Sequence, residues 1–132
     1  MNENQLMGYA REALGNSYSP YSNFPVGAAI LCKDGNIITG VNVENASFGG
    51  TNCAERSAIF TAVGKGYKKG DFLAIAVAGK TKGFLPPCCI CRQVMVEFFE
   101  PDAPVYLTNG TQEIQVHSLK DLVPLSFDKL DI

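Results

Sequence analysis

The sequence predicts a three-layer α/β fold in which a mixed five-stranded sheet carries helices on both faces. Its length of 132 residues suits one hydrophobic core. Helical and strand patterns follow one another in the order α-β-β-α-β-α-β-β-α, and helices on the two faces of a sheet bury both of its surfaces. Residues 1–132 show no internal repeat, low-complexity tract or linker. We therefore expect a single domain.

The first half of the chain predicts a helix followed by a hairpin. Apolar residues at helical spacing indicate an amphipathic helix over residues 5–18, which Ser19-Pro20 ends. Two apolar runs, over residues 26–32 and 37–43, flank Asp34-Gly35. This dipeptide favours a tight turn between antiparallel strands.

The second half predicts two longer helices, three strands and a short final helix. The earlier of the two longer helices covers residues 53–63, with Thr51 or Asn52 as its N-cap. Residues 72–78 form a near-continuous apolar run, as expected of a strand that is covered on both faces. The remaining predicted elements are a helix over 89–99, strands over 105–107 and 114–116, and a helix over 118–123.

Composition and charge narrow the possible partners. No apolar run approaches the roughly 20 residues of a membrane span, and no basic and apolar leader opens the chain. We therefore expect a cytoplasmic protein with no membrane partner. The net charge is −2 and the lysines and arginines form no block, which argues against a nucleic-acid partner. A small, uncharged substrate fits this balance better.

The five cysteines indicate a metal site rather than disulfide bonds. Their number is odd, and cysteines in a cytosolic chain more often bind metal or act in catalysis. Cys88 and Cys91 have the Cys-x-x-Cys spacing of zinc ligands, and Cys53 opens the earlier helix. The strand between the two helices is expected to bring both helix starts to the same end of the sheet. Cys32 is expected to be a small buried hydrophobic residue.

Three thiolate ligands leave a fourth position open for water, as in catalytic zinc sites. A fourth protein ligand would make the site structural, and Cys89 nearby or Cys32 farther away are the candidates. The single histidine, His117, is far from the cysteines and is expected at the surface. Zinc with three thiolates carries a formal charge of −1, so the sulfurs need compensating positive charge. We expect it from two helix N-termini and from hydrogen bonds donated to the thiolates by Arg56 and Arg92.

Glu55 is the candidate catalytic acid and base. It lies two residues after Cys53, within the first turn of the helix, so it can lie beside the metal without binding it. A carboxylate there can move protons between a water molecule and a substrate. A structural glutamate at a helix N-terminus is also common. A ligand two residues before a glutamate, followed by Pro-Cys-x-x-Cys, is nevertheless typical of zinc-dependent base deaminases.

With these residues the chain resembles the cytidine deaminase family, in particular its small homotetrameric branch with three cysteine ligands. The resemblance runs from the first helix through Pro124, and four ordered motifs carry it. They are Phe24-Pro25-Val26-Gly27-Ala28-Ala29, Asn42-Val43-Glu44-Asn45-Ala46, Cys53-Ala54-Glu55-Arg56 and Pro87-Cys88-x-x-Cys91-Arg92-Gln93.

The resemblance implies a set of substrate-binding residues. Phe24 is expected to pack on the pyrimidine, and the backbone at Ala54 to recognise the base. Asn42 and Glu44 are expected to hold the ribose 3′-hydroxyl. The chemistry of the two side chains supports this role independently, because together they offer a sugar hydroxyl one hydrogen-bond donor and one strong acceptor. A carboxylate would also repel a nearby phosphate, which favours a free nucleoside as the substrate. Phe127 is expected to reach the active site of a neighbouring subunit in a homotetramer.

The chain departs from the family at three positions. Cys89 stands where glycine is usual, Pro86 where serine is common, and Phe48 where a tyrosine often occurs. Cys89 could compete with Cys88 for zinc; the spacing to Cys91 and the preceding proline favour Cys88.

The sequence thus predicts a zinc-dependent enzyme, with one Zn²⁺ per chain, that converts cytidine and 2′-deoxycytidine to the uridine nucleosides and releases ammonia. One alternative is a deaminase of a cytosine nucleoside analogue, of the blasticidin type, which Glu44 disfavours. Another is a non-catalytic zinc module in which Cys89 closes the site. Polynucleotide editing is a third, which the charge and the small size of the chain disfavour.

Overall fold

A computed structural model describes residues 1–131 and contains five strands and four helices in that range. In chain order they are α1 (Glu3–Leu14), β1 (Val26–Cys32), β2 (Ile37–Val41), α2 (Ala54–Gly64), β3 (Phe72–Gly79), α3 (Cys89–Phe98), β4 (Pro104–Thr108), β5 (Ile114–Ser118) and α4 (Leu119–Leu122). The order of helices and strands is the predicted one.

The five strands form one mixed sheet in the order β2-β1-β3-β4-β5. Strands β3 and β4 run parallel, whereas the other neighbours are antiparallel. The β1–β2 hairpin turns at Asp34-Gly35 as predicted, with Leu31 opposite Ile37. Gly35 has a φ of +89°, a conformation that side chains disfavour.

Helices cover both faces of the sheet, which confirms the three-layer fold. On one face, Leu6, Ala10 and Leu14 of α1 pack against alanines of β1 and β3. On the other face, α2 and α3 pack against the alternate residues of the same strands, such as Ile30 and Ile75. This alternation follows from the period of two along a strand. None of the helices within residues 1–131 has both the length and the hydropathy that crossing a membrane requires.

The first helix and the second strand end earlier than predicted, by four residues and by two. The first helix ends at Leu14 with Gly15 as its C-cap, and not at Tyr18. Tyr18 instead exchanges backbone hydrogen bonds with the segment after β2, donating to the Asn42 carbonyl and accepting from the Glu44 N–H. Similarly, β2 ends at Val41 and not at Val43, because Val43 pairs with Tyr18 and Asn52 rather than with β1. These long-range pairings place Asn42 and Glu44 beside the loop that precedes β1.

The predicted N-cap of α2 is also wrong. Cys53 occupies that position in an extended conformation, and its side chain makes no capping hydrogen bond to the helix. Asn52 bonds across to Val43 through its backbone, which leaves it outside the helix. Cys53, a candidate metal ligand, is therefore itself the N-cap residue of α2.

Close packing holds the start of α2 against the sheet. A Cβ atom at Gly40 of β2 would lie 2.4 Å from the Ala58 nitrogen and 2.6 Å from the Ala54 oxygen. Only a glycine permits the two backbones to approach this closely. The first turn of α2 is thereby fixed relative to β2 and to Asn42 and Glu44 beyond it.

Candidate active site

Three cysteine sulfurs converge where α2 and α3 begin. The Sγ atoms of Cys53, Cys88 and Cys91 all lie within 4.8 Å of one another. Cys53 and Cys88 are the N-caps of the two helices, and Cys91 lies buried in the first turn of α3. The crossover through β3 thus brings the two motifs together, as the spacing predicts.

The sulfur geometry fits a zinc ion. Tetrahedral zinc with Zn–S bonds of about 2.3 Å holds its sulfurs about 3.8 Å apart. The Cys53 and Cys88 sulfurs are 3.8 Å apart. Three soft thiolates at two helix N-termini form a donor set that suits zinc and leaves a fourth position free.

The two candidate fourth ligands lie outside this group. Cys89 is exposed on the first turn of α3 and is not part of the sulfur cluster. Cys32 is fully buried at the end of β1, as predicted, and burial raises the pKa of its thiol to about 11. Among the described residues, no fourth Cys, His, Asp or Glu joins the cluster.

Hydrogen bonds compensate the charge of the thiolates. The NH2 group of Arg56 lies 3.2 Å from the Cys53 sulfur, and the Cys91 N–H donates to the Cys88 sulfur over 3.4 Å. Hydrogen bonds to Cys53, first from Cys91 and then from Arg56, lower the pKa of that thiol to about 5. A lowered pKa favours the thiolate, which is the form that binds metal.

Arg92 is placed differently from the prediction. Its guanidinium donates to the carbonyl oxygens of Pro87 (2.8 Å) and Leu122 (2.9 Å), and to no sulfur within the described part of the chain. Residue 92 is rotated by about 100° around α3 from Cys91, so its side chain passes beside the cluster. Arg92 therefore supports the loop that carries Cys88 rather than the sulfur itself.

Glu55 is buried beside the sulfurs, with 4% of its surface exposed. Burial raises the pKa of its carboxyl group to about 7, and the neighbouring charge of Cys53 adds to this effect. A carboxyl group with a pKa near neutrality can both accept and release a proton at physiological pH. Its position in the wall of a cavity makes it available to a ligand.

A cavity of about 440 Å³ opens in front of the sulfurs. Its size lies in the range of small-molecule sites, roughly 300–1,000 Å³. Its walls come from the loop before β1, the end of β2, the start of α2 and the loop before α3. The lining residues are Ser22, Phe24, Val26, Asn42, Glu44, Thr51, Asn52, Cys53, Ala54, Glu55, Val77, Leu85, Pro86 and Cys88. Four of the five substrate-binding candidates thus surround one space.

The fifth candidate, Phe127, lies apart from this cavity. Its side chain is 65% exposed, and its backbone carbonyl accepts a hydrogen bond from Gln93 (2.8 Å). It contributes nothing to the cavity of its own chain. Its outward position is compatible with the expectation that it serves a neighbouring subunit.

Asn42 is held by three hydrogen bonds. Its Oδ1 accepts from the Val26 N–H (2.9 Å) and from the Ser17 hydroxyl, and its Nδ2 donates to the Phe24 carbonyl (2.8 Å). These contacts orient the amide and occupy both lone pairs of the oxygen. One N–H of the amide has no partner among residues 1–131 and is free to donate.

Glu44 is held by the loop that precedes Phe24. Its Oε1 accepts from the backbone N–H groups of Tyr21 (3.0 Å) and Ser22 (3.1 Å), and its Oε2 accepts from the Ser22 hydroxyl. These bonds, the Ser22 hydroxyl first, lower the pKa of Glu44, so the carboxylate is ionised at neutral pH. Glu44 and Asn42 are both only 8% exposed.

Sequence reasoning missed the role of Ser22 and the cavity position of Thr51. The sequence indicated only that Ser22 lies in a turn, because residues 19–23, immediately before Phe24, are rich in serine, proline and asparagine. Serine and asparagine in a turn often bond to neighbouring backbone. The long-range partner, Glu44, could not be identified without the fold.

Comparisons with known proteins agree with this geometry. A family model described as the cytidine and deoxycytidylate deaminase zinc-binding region matches residues 1–107. The cytidine deaminase of Halalkalibacterium halodurans is 47% identical over 132 residues, which are 100% of this chain and 98% of that protein. The crystal structure of the cytidine deaminase from Burkholderia pseudomallei superposes with a TM-score of 0.93 at 49% identity, covering 96% of this chain and 100% of that one. The Mycobacterium tuberculosis enzyme gives a TM-score of 0.82 at 36% identity, covering 98% of this chain and 99% of that one.

The matched region contains every residue of the sulfur cluster and Glu55. The solved structures share the mixed sheet and its helices over nearly the whole chain. The chain therefore belongs to the cytidine and deoxycytidylate deaminase family, whose shared region binds zinc.

Proposed function

We propose that this protein catalyses the hydrolytic deamination of cytidine and 2′-deoxycytidine to uridine and 2′-deoxyuridine, with release of ammonia. The main support for this proposal is the position of three groups around one cavity. The buried carboxyl group of Glu55, the sulfur cluster and the polar pair Asn42 and Glu44 line the same cavity of about 440 Å³. A proton-transfer group, a metal site and a hydroxyl-binding pair are the parts that this reaction requires.

The sulfurs of Cys53, Cys88 and Cys91 would hold one zinc ion. When bound, zinc supplies a water molecule whose pKa is lowered toward neutrality. Arg56 donates a hydrogen bond to the Cys53 sulfur (3.2 Å) and thereby favours its anionic form. Arg92 holds the Pro87 carbonyl and so positions the loop that carries Cys88.

Glu55 moves the protons of the reaction. Its carboxylate accepts a proton from the attacking water and donates it to N3 of the pyrimidine. The same carboxylate then takes the proton of the hydroxyl group now on C4 and donates it to the amine. The C4–N bond breaks, ammonia leaves, and the C4 carbonyl of uridine forms. Burial favours this role, because it holds the carboxyl pKa near neutrality and restricts the side chain to the cavity wall.

The other lining residues orient the nucleoside. Phe24 packs its ring on the pyrimidine, and the backbone at Ala54 bonds the base. The free N–H of Asn42 and the carboxylate of Glu44 receive the 3′-hydroxyl. An ionised carboxylate at that point repels a 3′-phosphate, so a free nucleoside is preferred to a nucleic acid.

We further propose a cytoplasmic homotetramer in pyrimidine salvage, with residues 1–132 of each chain as one domain and no nucleic-acid or membrane partner. Phe127 supports the assembly, because 65% of its surface is exposed in its own chain. Leu125 beside it is fully exposed. Two exposed apolar residues that do not line the cavity of their own chain are suited to contact another copy.

The test is a comparison of purified wild-type protein with Glu55→Gln. Zinc per chain is measured for both, and the conversion of cytidine to uridine is followed by ultraviolet absorbance. We expect rapid turnover by the wild type, and a loss of kcat of at least about 100-fold in a variant that still holds zinc. No turnover by zinc-loaded wild type would contradict the proposed substrate. Full activity of the variant would contradict the role of Glu55.

A further inference from the structure

We propose that Ser22 is a positioning residue for recognition of the sugar, because its hydroxyl links the sugar-binding carboxylate to the base-binding loop. This inference rests on the proposed function, since it concerns how the 3′-hydroxyl of the nucleoside is read. Ser22 lies at the edge of the cavity and contacts both Glu44 and Phe24. It lies outside the four motifs on which the family resemblance rests.

The direction of the two hydrogen bonds is determined by the groups involved. The backbone N–H of Phe24 donates to the Ser22 oxygen over 3.1 Å. The single proton of the Ser22 hydroxyl therefore goes to Oε2 of Glu44, which can only accept when ionised. A chain of bonds thus runs from Phe24 through Ser22 to Glu44. Movement of the carboxylate and movement of the loop are coupled through one hydroxyl group.

The Glu44 carboxylate keeps one hydrogen-bond acceptor site free for the substrate. An ionised carboxylate offers about four lone-pair sites. The Tyr21 N–H, the Ser22 N–H and the Ser22 hydroxyl use three of them. One site is left, on the Oε2 atom that Ser22 holds in place. Without the Ser22 hydroxyl, Oε2 gains a second open site and loses its fixed orientation.

The side-chain amide of Asn42 keeps one N–H donor free for the substrate. Both lone pairs of its oxygen are used by Val26 and Ser17, and one of its two N–H donors is used by the Phe24 carbonyl. Asn42 and Glu44 together therefore present one donor and one acceptor, which matches one hydroxyl group. The backbone of Phe24 is held at its N–H by Ser22 and at its carbonyl by Asn42. Ser22 is thus expected to matter for substrates that carry this hydroxyl.

The experiment compares Ser22→Ala with wild type on 2′-deoxycytidine and 2′,3′-dideoxycytidine, which differ only in the 3′-hydroxyl. Enzyme is used in excess, so that slow turnover of the dideoxy substrate remains measurable. We expect kcat/KM for 2′-deoxycytidine to fall about tenfold, mainly through KM, since one charge-assisted hydrogen bond is lost. For the dideoxy substrate we expect a change of less than about twofold, because the affected contact is absent.

The ratio of the two kcat/KM values within each variant cancels any loss of folded protein. Thr61→Ala is the control: it removes an exposed hydroxyl group on α2 that donates to the Ser57 carbonyl oxygen (2.7 Å) and makes no hydrogen bond to Glu44, Asn42 or Phe24. Its ratio should equal that of the wild type. In a Glu44→Gln background, addition of Ser22→Ala should leave the ratio unchanged, because the two residues act as a unit. If Ser22→Ala does not fold, Ser22→Gly provides the same comparison.

Equal losses on both substrates would overturn the proposal, because they would indicate a general structural role. A ratio that falls again when Ser22→Ala is added to Glu44→Gln would also overturn it. Failure of the proposed function has a different signature, since zinc-loaded wild type would then deaminate neither substrate.

Discussion

Arg56 and Arg92 each directly follow a residue of the active site, yet they act on different groups. Arg56 lies three residues after Cys53, so the two side chains share one face of α2 and the guanidinium meets the sulfur. Arg92 follows Cys91 by one residue and meets two carbonyl oxygens instead. The charge of Arg56 therefore acts directly on a sulfur of the cluster, whereas Arg92 acts on the backbone around it.

Replacement of Arg56 by glutamine should weaken zinc binding. The substitution removes a charged donor from the Cys53 thiolate, and loss of a partner of a metal ligand typically costs 10- to 100-fold in metal affinity or activity. We expect zinc to be lost to a chelator at an approximately tenfold lower chelator concentration, and kcat/KM to fall by a similar factor. Arg11→Gln, on the opposite face of the sheet, is the control and should keep wild-type zinc affinity. Identical zinc retention in the two variants would contradict this prediction.

Cys88 and Cys89 are adjacent thiols that the structure separates by function. Cys88 caps α3 and belongs to the sulfur cluster, whereas Cys89 is exposed outside it. We expect Cys89→Ser to retain about one zinc per chain and wild-type kcat, and Cys88→Ser to lose both. Zinc analysis of the purified variants measures this directly. Loss of zinc from Cys89→Ser with retention in Cys88→Ser would show that the other thiol is the ligand.

At the scale of elements, the site depends on how closely α2 approaches β2. Gly40 permits that approach, and Asn42 and Glu44, the proposed sugar-binding pair, directly follow β2. Cys53 caps α2, and Ala54 and Glu55 begin it. The distance between the two backbones thus determines the distance between the sulfur cluster and this pair.

Gly40→Ala should separate these elements. Its Cβ would lie within 3 Å of the α2 backbone, and overpacking of this kind typically costs 1–3 kcal/mol of unfolding free energy. We expect lower thermal stability together with a higher KM for cytidine. Gly8→Ala is the matched control, because a Cβ at Gly8 meets nothing within 4 Å. There the helix should gain about 0.5–1 kcal/mol, and KM should be unchanged. Equal stability of the two variants would show that the close approach is not required.

The ends of elements were the least predictable part of the fold. The pattern of apolar residues correctly predicted β1, the hairpin and both long helices of the second half. It extended α1 and β2 too far, because residues near Tyr18 and Val43 are compatible with either structure locally. Their actual conformation depends on pairing with each other across the chain. Local periodicity contains no information about such a partner.

At the scale of the whole molecule, the site has a side that the chain itself does not cover. The cavity opens in front of the sulfurs, and the exposed side chain of Phe127 does not line it. Several aromatic residues near the opening, including Tyr21, Phe24 and Phe48, have more than two fifths of their surface exposed. Assembly of several copies would cover such a surface.

Mixing of two impaired variants tests whether neighbouring chains share a site. Phe127→Ala should lower kcat/KM about tenfold if the ring completes a neighbouring cavity, since a buried aromatic contact is worth about 1.5–3 kcal/mol. After subunit exchange with Glu55→Gln, some sites combine an intact Glu55 with an intact Phe127 from the neighbour. We expect the mixture to exceed the sum of the separate activities, and light scattering to give the mass of four chains. Strictly additive activity and a monomer mass would contradict the shared site.

The candidate site could be predicted from the sequence as two local pairs, Cys53 with Glu55 and Cys88 with Cys91, because residues two or three positions apart at a helix start lie close together. The crossover through β3 then brings the sulfurs of the two pairs to one place. The number and order of helices and strands followed from the periodicity of apolar residues. Tertiary structure alone decided the hydrogen-bond partners: Ser22 with Glu44, Asn42 with Phe24, and Arg92 with two carbonyl oxygens. Partners of this kind are far apart in sequence or compete with equally suitable groups, so only the packing of the whole chain selects among them.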